Sequence, residues 1–138
     1  MSAHMSKADD ASDATIDAVG KVTEALEFVE RARGHLYSFH QLMGHADLLL
    51  GEACDELREA GDDAVAERIE TELVGHNVLY GRWTFQVVEE FDDTYYALVR
   101  DHERRAREDL LGGARHLHEA RMKEQRRTHG RKGHEDRP

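Results

Sequence analysis

Apolar residues recur every three or four positions along most of this chain, which is the spacing of one helical face. Ile16, Val19, Val22, Leu26 and Val29 form a first stripe, and Leu36, Phe39, Met43, Ala46, Leu50, Ala53 and Leu57 continue it. Gly61 followed by Asp62 and Asp63 reads as a helix stop and then a new N-cap. A shorter helix over 62–74 carries Ala66, Ile69 and Leu73. The stretch Val74–Trp83, with two glycines and an asparagine, reads as a loop. Thr84 is placed to cap the next helix, which presents Phe85, Val88, Phe91, Tyr95, Leu98 and Val99 and runs to Leu111 before Gly112 and Gly113 interrupt it. Another helical piece covers 115–127. No strand-like alternation extends beyond a few residues, and proline is absent until Pro138, so long helices are unobstructed.

This pattern predicts an all-α helical bundle built on a long antiparallel helical hairpin, 35–60 against 84–111, with one short helix between. Residues 1–13 and 128–138 read as disordered, the second being a basic tail, and 14–127 as the helical domain. At Gly34 two readings stand. Either the helix continues through it, or it breaks there and restarts at Ser38, whose spacing to Gln41 fits a capping box. Pairing the long helices directly across the short one would set Gly34 and Gly112 at the same level.

The chain has 138 residues, a single domain's worth. No apolar run reaches the ~20 residues of a membrane span, the polar start has no signal-peptide core, and Cys54 is the only cysteine, so the expected compartment is cytoplasmic. The net charge of −10 is uneven: residues 1–103 hold 8 Lys and Arg against 23 Asp and Glu, while 104–138 hold 11 against 6. Such a field disfavours nucleic acid except at the basic tail. Lysine supplies only 4 of the 19 basic residues, a composition that suits a salt-adapted or high-GC organism.

Two segments, "NVLYGRWTFQVVEEFDDTYY" (77–96) and "HEARMKEQRRTHGRKGHE" (118–135), resemble an uncharacterised group of small helical proteins from actinobacteria and halophilic archaea. The resemblance covers most of the chain and implies no activity.

The candidate chemistry lies on the hairpin. On a helix, positions 36, 40, 43, 47, 50, 54 and 57 share a face, and they read Leu, His, Met, Asp, Leu, Cys, Leu. His40 and Asp47 therefore interrupt an apolar stripe, beside small Gly44 and Gly51, which leave either a close approach or a hole. On the facing helix, Glu89 lies one turn from Asp93. A histidine and carboxylates from two helices are what a first-row transition metal would take in a bundle, so His40, Asp47, Glu89 and Asp93 form a candidate metal site. The plainer reading is a His40–carboxylate hydrogen bond, because the Glu-x-x-His pair of di-iron bundles is missing. Arg82 and Trp83, at a helix N-terminus, form a candidate ligand or anion site; the plainer reading has Trp83 plugging the core end and Arg82 pairing with a local acid. His116 and His118 point in different directions on a helix, and the run of Arg121, Lys123, Arg126 and Arg127 finds its nearest anion in the protein's own acidic body. The expected function is interaction or assembly without catalysis, with a metal-binding bundle as the alternative. A homodimer is expected, because the stripes on 16–29 and 36–57 are too long for one short helix to cover.

Overall fold

The structure, a computed structural model, describes residues 3–136; the side chains of 3–6 and of His118 lie outside the described set. It is an all-α helical bundle. Helix α1 spans Ala3–Asp10, α2 Asp13–Glu59, α3 Asp63–Glu72, α4 Thr84–Phe91, α5 Ala97–Leu111 and α6 Leu117–Arg126. A five-residue π-helical turn, Asp92–Tyr96, joins α4 to α5. Among the described residues there is no strand, only an isolated bridge between Leu79 and Arg82.

Helix α2 runs through Gly34 without a break, which decides between the two readings at that position. Its start lies two residues from the end of α1, where Ser12 acts as N-cap: the Ser12 hydroxyl oxygen accepts the Thr15 N–H at 3.1 Å. Residues Ala3–Asp10, within the N-terminal segment, form α1, which packs along α5. The end of α2 is a Schellman turn. Gly61, at φ 87°, donates to the Arg58 carbonyl, and Asp62 donates to that of Leu57. Asp62 then takes the N-cap position of α3, though its side chain makes no capping bond. Helix α5 ends at Gly112 and Gly113, both at positive φ, with the Gly113 N–H returning to the Arg107 carbonyl at 2.8 Å. Within the basic tail, Arg131 donates to the Thr128 carbonyl and His134 to that of Arg131.

The chain divides into two compact units. One comprises 1–29 with 96–138, the other 30–95. The first holds a small apolar cluster of Ile16, Val19 and Leu111, with Ala11, Ala114 and Leu117 against it. Beside this cluster Glu103 is buried at 5% exposure. Its Oε1 accepts from Arg107 Nε at 2.6 Å and from the Thr23 hydroxyl at 3.0 Å. Arg121 pairs with Asp13 and Asp17, so part of the basic run does meet the protein's own acids.

In the unit 30–95, α2 and α4 lie antiparallel. Arg33 clamps Asp92 with two hydrogen bonds at 2.6 and 2.8 Å, and one helix end further on, His40 meets Thr84. This register is not the expected one. Gly34 lies level with Asp92, while Gly112 follows Leu111 in the cluster with Ile16 and Val19. The reason is the path of residues 60–83. Helix α3 folds back on the end of α2, held by Arg58 to Glu67 and Glu70, and the following loop runs back along α2 as far as Asp47, which accepts the Gly75 N–H. The return helix therefore starts opposite His40 and not opposite residue 60. The apolar side chains buried in this unit, among the described residues, are Cys54, Ala66 and Val88. The unit also carries the whole net charge: 15 Asp and Glu against 5 Arg, whereas the other unit holds 14 of each sign.

Candidate functional site

The four residues expected to share a metal do not come together. His40 Nδ1 lies 2.7 Å from the Thr84 hydroxyl, and its ring packs against Phe85 at 5.1 Å and Tyr37 at 6.1 Å between centroids. Its partner is a hydroxyl, not the expected carboxylate. Asp47 is turned to the loop, where its Oδ1 takes the Gly75 N–H at 2.9 Å. Glu89 and Asp93 are exposed. The acid that reaches α2 from this segment is Asp92, and it meets Arg33, whose hydrogen bonds hold its carboxyl below the usual range against the opposing effect of partial burial. Among the described residues no three His, Cys, Asp or Glu side chains converge as a metal would require. His116 lies at positive φ as N-cap of α6 and faces Glu119 at 3.7 Å; the side chain of its expected companion His118 is outside the described residues.

Arg82 and Trp83 are placed differently from the plain reading in one respect. Arg82 does pair with a local acid, Glu90. Trp83, however, is 73% exposed and plugs nothing. It is Trp83, not Thr84, that takes the N-cap position of α4. The Gln86 side chain accepts the Trp83 N–H at 2.8 Å, and Gln86 returns its own N–H to the Trp83 carbonyl. An indole has no acceptor oxygen, so the cap is carried by glutamine. Thr84 is thereby released to meet His40.

The loop and α2 enclose an open cleft of about 470 Å³. Met43, Leu50 and Leu73 give it apolar walls, and Asp47, Arg82 and Trp83 stand around it. Gly44 contributes the space: a Cβ there would meet nothing within 4 Å, so of the two outcomes open to a glycine at this position, the hole is the one realised. The structure therefore brings Asp47 and the Arg82–Trp83 pair to one place, which the sequence did not join. With Arg82 already neutralised by Glu90, the local balance favours a cation over an anion.

A second feature is a seam on α2, apolar except for His35, that nothing in the unit covers. Ala32, His35, Phe39, Leu42, Ala46 and Leu49 are all exposed, Leu42 at 66%. Their spacing alternates three and four without a slip, which is the heptad seam of a helix that pairs with another helix. The residues that face inward, His40, Met43, Asp47, Leu50 and Cys54, occupy the neighbouring face. Phe39 and Ala46, members of the apolar stripe read from the sequence, lie on this seam and not on the inward face. The strict alternation, unlike the looser helical spacing inside, was the available signal. Compared with protein-family models, curated proteins and solved structures, the chain matches none.

Proposed function

We propose that this protein is a self-associating assembly module, in which the unit 30–95 completes its core against a second copy. The observation that carries this reading is the uncovered heptad seam of α2. A unit of this size with three buried apolar side chains gains little from its own core, and a continuous exposed apolar strip of this kind marks an interaction surface. A homodimer uses one such strip twice.

Light scattering at micromolar concentration tests this, in physiological and in high salt. The expected mass is twice that of the chain. Leu42→Glu, at an exposed position, is expected to give a helical monomer. A monomeric wild-type protein in both salts rejects the reading, as does a Leu42→Glu variant that stays dimeric.

The cleft beside Asp47 supports a second reading, binding of a small amphipathic cation. Such a molecule would place its charge at the carboxylate and its apolar part along Met43, Leu50 and the Trp83 ring. A panel of aromatic and aliphatic amines in a thermal-shift assay tests it; shifts that persist in Asp47→Asn reject it.

A further inference from the structure

We infer that the second copy lies antiparallel on α2, with the twofold axis passing near Gln41. The inference rests on the self-association just proposed and adds its geometry. Assigning Ala32, Phe39 and Ala46 to one seam position and His35, Leu42 and Leu49 to the other gives two alternatives for how the layers meet.

In a parallel pair each residue faces its own copy. Ala32 would meet Ala32 and Ala46 would meet Ala46, leaving gaps. His35 would meet His35, which sets two titratable rings together, and Phe39 would meet Phe39. Leu42 and Leu49 would also meet their own copies, so the layers range from paired alanines to paired phenylalanines and volume is uneven along the contact.

In an antiparallel pair the two seam positions face each other. Ala32 meets Leu49 of the second copy, His35 meets Ala46, and Phe39 meets Leu42. Outside the central layer every larger side chain faces an alanine, so volumes stay even along the contact. The flanking positions agree with the same register. One position before Ala32, Phe39 and Ala46 stand Arg31, Ser38 and His45, and one heptad further on stands Glu52, all exposed. In this arrangement Arg31 faces Glu52 of the second copy, and Ser38 faces His45. Both facing pairs therefore arise from one axis, and the axis that matches the volumes also matches the charges. In the parallel alternative, Arg31 would flank Leu36 and Glu52 would flank Leu57, with no charge partner across the contact.

Two measurements test the geometry on the full chain. The first is charge exchange. Arg31→Glu and Glu52→Arg each place like charges together twice across the dyad, and each is expected to weaken dimerisation about tenfold. Combining them restores the pair with its sign reversed, and the double variant is expected to return to near wild-type affinity. The second is distance. A spin label on Asp55→Cys sits on the exposed outer side of α2, and buried Cys54 is shielded from labelling. The helix rise places the two labels roughly 40 Å apart in the antiparallel dimer and under about 25 Å apart in a parallel one. A short label distance, or single charge reversals that leave the dimer unchanged, overturns the antiparallel register while leaving self-association standing. A monomeric wild-type protein overturns both together.

Discussion

Removing the Glu103 carboxylate tests a buried i,i+4 ion pair of α5 that the Thr23 hydroxyl ties to α2. Glu103 and Arg107 have side chains 7% and 12% exposed, and their contact at 2.6 Å is joined by the Thr23 hydroxyl from α2. Burial alone would push the Glu103 carboxyl up. The hydrogen bonds from Arg107 and Thr23, with the charges of Arg107 and Arg115, outweigh it and hold the group below the usual glutamate range. In Glu103→Ala, Arg107 keeps only a weak bond to the Gly113 carbonyl at 3.3 Å. Breaking a buried pair in this way costs about 3–5 kcal/mol, and the residual exposure of Arg107 argues for about 3. Glu103→Gln keeps the shape and an acceptor for Thr23 and is expected to cost about 1–2 kcal/mol. Replacing both partners, as Glu103→Leu with Arg107→Met, is expected to be close to neutral, because no charge is then stranded. The assay is urea unfolding followed by circular dichroism at fixed protein concentration. The pH dependence has a definite sign. A carboxyl depressed in the folded state stabilises above its unfolded pKa of about 4.3, and the gain is lost as pH falls through the folded value. The gap between wild type and Glu103→Gln should thus be full at pH 7 and close on acidification. A Glu103→Ala cost below about 1 kcal/mol, or a gap that widens in acid, refutes the reasoning.

Three further outcomes are expected. Gly34→Ala should raise stability by about 0.5–1 kcal/mol, since the position is mid-helix and an added Cβ meets nothing within 4 Å; a loss measured by thermal unfolding would contradict an unbroken α2. His40→Ala should cost about 1–2 kcal/mol through the lost Thr84 bond and ring packing, equally with and without chelator; a cost that appears only in the absence of chelator would return His40 to metal binding. Limited trypsin treatment should cut first at Arg131 and Lys132 and leave the helical signal intact, as read by mass spectrometry and circular dichroism; loss of the helical signal would make the tail part of the fold.

The helices were legible because their punctuation is local. Gly61 and Asp62 end α2 through bonds to the Arg58 and Leu57 carbonyls, and Gly112 ends α5, so chain neighbours alone mark both stops. The start of α2 was legible to within a residue, 14 against Asp13, and the Ser12 hydroxyl that accepts the Thr15 N–H caps it. The register was not legible. It depends on how far the loop after α3 travels, and that is set by one bond from Gly75 to Asp47, 28 positions apart in sequence. The candidate site divided for the same reason. Asp47 and Trp83 were each singled out, but only the loop path joins them in one cleft. The carboxylate reaching across to α2 was placed at Glu89 and Asp93, three residues before and one residue after Asp92, where the π-helical turn begins.

The uneven sharing of charge has a bearing on how association responds to its medium. In the proposed dimer, joining two units that each hold ten surplus negative charges would set up a wide repulsion, against which the facing arginine and glutamate would act only at short range. Added salt shortens the reach of that repulsion from about 10 Å at 0.1 M to about 3 Å at 1 M, while apolar contact along Phe39, Leu42 and Leu49 is left intact. The balance runs opposite to that of most charge-steered complexes. Concentrated brine should act on this protein as glue, and dilution as solvent, so that the degree of assembly becomes a readout of ionic strength.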